Sequence, residues 1–252
     1  MATTEDEIKE QKAVAMTEEE EQLKVDMKEE VVTKEEKQNG KEEEVVKEDK
    51  EEEVKMEVEP STGVKFPVKV SDGKQLDAMG VRKKRVTLLN VTVYGFGIYG
   101  DNDKLMELLK SKFDKAPEQP TKELYETVID SDVGLMVRLV IVFPGLTMNM
   151  VRKNFDEVLG GVLKKLNGAP EDFEVAKRLM GEATDGIKLS SGSVIEITRL
   201  PGYTLQTKVK DEVISTVESE LLCRAYFHLY LGEDPFDKNA KEKFGASLLS
   251  LF

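Results

Sequence analysis

The pattern of apolar residues along this 252-residue chain predicts an α+β domain behind an acidic tail. Three observations carry that expectation. Residues 1–60 hold 23 acids against 10 bases and no aromatic residue, whereas all 16 aromatics lie from Phe66 onward, in a part where 27 acids balance 27 bases. Within that neutral part, β-branched and continuously apolar runs mark strands, and three-to-four-residue apolar repeats mark helices. Their order runs strands, helices, one central strand, helices, a hairpin, helices, which is not the strict alternation of a doubly wound sheet.

Taken in order, the tail comes first. With 20 glutamates and no aromatics it has too little apolar surface to offset the entropy of ordering. Disorder over residues 1–61 is expected. The valines beside its Glu/Lys runs leave a partner-binding helix as the alternative. Pro60-Ser61-Thr62-Gly63 marks the boundary, and the domain is expected over residues 62–252.

Val64–Val70 reads as an edge strand, because Pro67 has no N–H for a ladder. Val86–Tyr99 reads as two short strands or one bent strand. Asp101 caps a helix with Leu105, Leu108, Leu109 and Phe113 on one face. Leu124, Tyr125, Val128 and Ile129 indicate a second, short helix. Leu135–Phe143 is apolar except for Arg138 and reads as a buried central strand. A longer helix follows from Thr147 to Leu166, with Val151, Phe155, Val158, Val162 and Leu166 inward, and Asn167-Gly168 ends it. Pro170 opens another helix, carrying Phe173, Ala176 and Leu179. Ser193–Leu200 and Tyr203–Val209 form a hairpin about Pro201-Gly202. Ser215 and Glu218 have capping-box spacing for a helix reaching Leu231, and Asp237 caps a last helix with Phe244, Leu248 and Leu249.

Composition excludes several function classes. No apolar run approaches the roughly 18–20 residues that span a bilayer. One cysteine, Cys223, gives no disulfide framework, and with a single histidine, His228, neither a metal centre nor a Ser-His-Asp triad is expected. Domain neutrality gives nucleic acid no electrostatic footing. A monomer is expected. The N-terminus has neither a secretory pattern nor the basic, serine-rich character of a transit peptide, which favours the cytoplasm over the plastid stroma.

Few motifs carry chemistry. Gly95–Gly100 matches G-x-G-x-x-G but lies inside a strand-like segment and opens no helix, so dinucleotide binding is not expected. In the basic cluster Arg82–Arg85, the last three residues read as a solvated turn, while Arg82 follows apolar Met79-Gly80-Val81. Arg138 shares strand parity with Met136, Val140 and Val142, so it either snorkels or needs an anion, from a domain carboxylate or from a ligand. Tyr94, Tyr99 and Thr147 offer neutral hydroxyls. Cys223 and His228 are five apart on one predicted helix and do not form a dyad.

Six blocks in order then carry a resemblance: Gly80-Val81-Arg82, Val93–Tyr99, Arg138–Val142, Val151–Phe155, Leu221–Arg224 and Glu233–Lys238. Together they resemble the plant chalcone isomerase superfamily, particularly its fatty-acid-binding, chalcone-isomerase-like branch. The resemblance implies an open-faced β-sandwich, a large antiparallel sheet with helices on one side and a ligand cleft between them. In the enzymes of the family an arginine holds a phenolate and hydroxyl donors polarise a ketone during ring closure to a flavanone, with no cofactor. Arg82 takes the place of that arginine and Asn154 that of an active-site asparagine. Tyr94 replaces a catalytic threonine, Thr147 a network tyrosine, and Cys223 a cleft serine or threonine. These changes remove donors from the isomerase set. In the binding branch, arginine plus tyrosine holds a carboxylate. The resemblance therefore implies a fatty-acid binder using Arg82 and Tyr94. The alternatives are a chalcone–flavanone isomerase using Arg82 and Asn154, or an auxiliary protein whose acidic tail recruits a partner.

Overall fold

The computed structural model describes residues 54–86, 89–181 and 187–252. The expectation of a disordered tail falls mostly outside them. Among the described residues there are eight strands: β1 (Met56–Val58), β2 (Lys65–Pro67), β3 (Gln75–Val86), β4 (Leu89–Gly100), β5 (Leu135–Ile141), β6 (Val194–Leu200), β7 (Thr204–Val209) and β8 (Glu212–Glu218). The helices are α1 (Asn102–Lys112), α2 (Lys122–Asp130), α3 (Met148–Lys165), α4 (Pro170–Lys177), α5 (Glu220–Leu231) and α6 (Lys238–Leu249). β3 to β8 form one antiparallel sheet in chain order, left open between its edge strands β3 and β8.

Register divides the sheet into two faces. Tyr94, Phe96 and Ile98 of β4 stand opposite Ile141, Leu139 and Val137 of β5, which continue into Ile195 and Ile197 of β6. This face is buried beneath the helices. Phe96 meets Tyr230 of α5 edge-on at 5.1 Å, and a Cβ on Gly80 of β3 would collide with Ala240 of α6. The other face carries Gly95, Gly97 and Tyr99 in β4. A Cβ on Gly97 would meet Leu76, Tyr99 and Phe66, so the missing side chain lets the β1–β2 hairpin lie against the sheet. The G-x-G-x-x-G match is thus a packing feature of a strand. The hairpin also begins before the expected domain boundary: Glu59 accepts hydrogen bonds from Ser61 and Thr62 and closes the loop between β1 and β2.

Caps match the sequence at Asp101, whose side chain accepts from the Lys104 N–H, and at Asp237, which accepts from Ala240. Three expectations are corrected. Lys83, Lys84 and Arg85 are exposed but belong to β3, paired with β4, and not to a turn. The inward row of α3 is Met148, Val151, Phe155, Leu159 and Leu163. Val158, Val162 and Leu166 are half-buried, because from Val151 onward the buried row advances by four at each step, against α5 and α4, and passes them by. Residues 212–218 form β8, and α5 starts one element later, where Ser219 accepts from the Leu222 N–H. The turn before β8 puts Lys210 and Asp211 both at positive φ (51° and 69°), the geometry of a tight hairpin that glycine or asparagine would usually announce.

Candidate functional site

Arg82 and Tyr94 are Cα partners on β3 and β4, so a one-to-one register sets both side chains on the helix-covered face. The Arg82 guanidinium lies 3.7 Å from the centre of the Phe236 ring, a cation–π contact. Asp237, the next residue, accepts from the Val81 N–H at 3.0 Å and so ties the start of α6 to the strand that carries Arg82. Among the described residues no carboxylate forms an ion pair with Arg82. Its charge is half-buried and directed at aromatic rings.

Two residues that the sequence reading missed complete the cluster. Tyr226 and Tyr230, one turn apart on α5, are 0% and 1% exposed. Their rings are 5.5 Å apart, Tyr230 packs on Phe96 and Phe236, and Phe155 of α3 stacks on Tyr226 at 6.2 Å. The hydroxyls of Tyr94, Tyr230 and Tyr226 influence one another in sequence, with Arg82 acting on the first two. Neither the Tyr226 nor the Tyr230 hydroxyl has a well-formed hydrogen bond. Burial, first, pushes all three phenols well above the ordinary tyrosine range. They therefore stay neutral donors. The available signal was the i, i+4 spacing of two tyrosines on an otherwise apolar helix, since buried phenols usually find a polar partner.

The remaining expected residues are not gathered there. Thr147 is exposed and its hydroxyl caps α3, accepting from the Met150 N–H at 3.2 Å. Asn154 is half-buried on α3 beside Phe155, at the flank of the aromatic cluster. Arg138 projects from the opposite face of the sheet and pairs with Glu196, its Cα partner on β6. A domain carboxylate thus answers its charge. There it borders a pocket of about 420 Å3 lined by Ser190 to Val194, Lys210 and Asp211.

Cys223 is fully buried on α5, three residues before Tyr226. It lies near Arg199, and burial pushes its thiol up to about 12 although that cation pulls it down. Arg199 aligns with Leu135 and, through it, with Gly100, six residues along β4 from Tyr94, a separation of about 20 Å. Sequence reading also missed Arg199. Its side chain is 0% exposed and donates to the carbonyls of Val133 and Ile129 at 2.8 Å and of Val128 at 3.0 Å, at the C-terminal end of α2. It bolts α2 to the sheet, and its guanidinium also lies 4.8 Å from the ring of Phe227, which packs on Tyr226.

Among the described residues no group of three His, Cys, Asp or Glu side chains is placed to hold a metal ion, and no helix is long and apolar enough to cross a membrane. What the arrangement offers chemically is one guanidinium and up to three neutral hydroxyls set in an aromatic, dehydrated wall. That set suits an anion attached to an apolar body.

No family model matches the chain. Individual proteins do. It is 52% identical over 199 residues to chalcone isomerase-like protein 1 of Humulus lupulus, covering 78% of this chain and 93% of that one. It is 36% identical over 198 residues to fatty-acid-binding protein 1 of Arabidopsis thaliana, covering 77% of this chain and 71% of the relative. The crystal structure of an Arabidopsis thaliana fatty-acid binding protein superposes with a TM-score of 0.72 at 35% identity, covering 78% of this chain and 98% of the other.

Proposed function

Because the chain belongs to the chalcone isomerase superfamily, in its chalcone-isomerase-like and fatty-acid-binding branch, we propose that it binds a fatty acid whose carboxylate is held by Arg82 and Tyr94. The alkyl chain lies in the apolar layer between the sheet and the helices. The observation that carries this reading is the facing pair itself, an arginine without a carboxylate partner opposite a buried phenol on the next strand. A carboxylate meets both needs, since the guanidinium fork binds it directionally and the phenol adds a neutral donor. The Arabidopsis thaliana relative matched both in sequence and in crystal structure is named for fatty-acid binding, which supports the same ligand class.

The reading includes no isomerase step. Ring closure needs donors aimed at a developing oxyanion. The Thr147 hydroxyl is committed to capping α3, and Cys223 sits beside Arg199 as a neutral thiol. Protein purified from its source and extracted with organic solvent is expected to release free fatty acid on mass spectrometry, and Arg82→Ala to lose it. An empty extract together with unchanged fatty-acid affinity in Arg82→Ala rejects the reading. Chalcone absorbance falling no faster with protein than in buffer is the expected companion result.

A further inference from the structure

We infer that Tyr230 is a third ligand-holding residue of the Arg82–Tyr94 site, with Tyr226 positioning it from behind, and that this pair makes the cleft select an anionic head group over a neutral one. The inference rests on the function proposed above and deepens it.

Its basis is a mismatch between burial and bonding. Tyr226 and Tyr230 are buried as completely as any side chain in the molecule, yet both hydroxyls lack a well-formed bond. A buried hydroxyl in an aromatic cage costs stability unless something accepts its proton. Phe96 and Phe236 flank Tyr230, and Phe155 and Phe227 flank Tyr226, so apart from the neighbouring phenol oxygens the rings supply no acceptor. Compare Tyr125, also buried, whose hydroxyl donates to the Lys241 carbonyl at 3.0 Å. Tyr99, on the other face of the sheet, also keeps a buried hydroxyl without a bond, so what sets Tyr230 apart is its place beside Arg82 and Tyr94.

The neighbourhood says where the acceptor belongs. Phe236 touches both Tyr230 and the Arg82 guanidinium, and Tyr94 stands directly opposite Arg82. The Tyr230 hydroxyl thus lies within electrostatic reach of both Arg82 and Tyr94. A carboxylate has two oxygens and about four lone-pair directions. Arg82 and Tyr94 leave part of that capacity unused, and Tyr230 takes it up. Tyr226, one turn back, fixes the hydroxyl of Tyr230 and has no direct path to the ligand. All three phenols are held neutral by burial, so each remains a donor to an anion. A neutral alcohol head group gains less from the same donors.

The test uses the full chain stripped of lipid, with dodecanoate and dodecan-1-ol as probes in isothermal titration calorimetry. Tyr230→Phe is expected to weaken dodecanoate about tenfold and leave dodecan-1-ol within about twofold. Tyr226→Phe is expected to weaken dodecanoate about threefold, with the double variant no worse than about Tyr230→Phe alone, because the two act in series. Ligand-free Tm should hold or rise in Tyr230→Phe, since an unpartnered hydroxyl is removed. Equal losses for both probes, or a lowered Tm with unchanged dodecanoate affinity, overturn the inference and leave Tyr230 a packing residue. If Arg82→Ala weakens dodecanoate while Tyr230→Phe does not, the inference fails and the proposed function stands. If Arg82→Ala also has no effect, the proposed function fails first. Should Tyr230→Phe not fold, the ratio of the two probes in Tyr226→Phe decides in the same way.

Discussion

Replacing Arg199 by methionine tests whether a buried cation is fastening α2 to the sheet. The side chain is 0% exposed and makes three hydrogen bonds of 2.8–3.0 Å to the carbonyls of Val128, Ile129 and Val133, with the ring of Phe227 4.8 Å away. Charged hydrogen bonds contribute about 1.5–3 kcal/mol each, so the three together contribute about 6 kcal/mol. Against this stands the burial of the charge, which lowers the Arg199 ionisation to about 10, a burden of about 3 kcal/mol. Methionine removes both contributions and fills most of the volume. The net loss is about 3 kcal/mol, or a Tm decrease of about 6–12 °C for a domain of this size. Thermal unfolding of lipid-stripped protein by far-UV circular dichroism measures it directly. Arg199→Lys keeps the charge but not the fork, and is expected to fall between the two. A Tm within about 2 °C of wild type would refute the bolt.

Asp77 gives a pH-dependent case: burial raises its carboxyl above the usual range, against opposing hydrogen bonds from Ser247 and Asn102. A raised native ionisation stabilises the fold at acidic pH and loses that stabilisation as pH rises through the raised value. Asp77→Asn supplies a permanent donor near the unpartnered Asn102 Oδ1, so its Tm advantage over wild type should widen as pH rises, reaching about 1 kcal/mol; a gap that narrows contradicts this. Gly97→Ala forces a methyl to within 2.9–3.1 Å of Leu76, Tyr99 and Phe66 and is expected to cost about 1–3 kcal/mol in urea unfolding. Cys223, fully buried with its thiol pushed up to about 12, should resist Ellman's reagent at neutral pH in the native protein and react on unfolding.

The elements that could be read from sequence are those whose signal is local. The seven residues of β5 are apolar but for Arg138, and Asp101 and Asp237 each sit one residue before their helices. β8 was hidden because Ser215 and Glu218 imitate a capping box, while the turn that makes the strand relies on positive φ at Lys210 and Asp211, residues that give no such warning. The candidate site depends on information of another kind. Arg82 faces Tyr94 only because the β3–β4 register has an irregularity after Arg82, and no periodicity reveals a register. The family resemblance singled out the pair where pattern reading could not. It did not single out Tyr226 and Tyr230, which matter only once α5 is laid over Phe96. Thr147 and Cys223 were matched by position in the chain, and the fold spends the first on a helix end and places the second beside Arg199.

The tyrosine cluster also gives the protein an optical property. The chain has no tryptophan and six tyrosines, and Tyr94, Tyr226 and Tyr230 are half of them. Ultraviolet emission from the folded protein is therefore phenol emission, unmasked by indole. A head group that accepts a proton bond from this cluster perturbs a large share of that light at once. Occupancy of the fatty-acid site proposed above would thus be readable from the native chain, with no dye and no substitution.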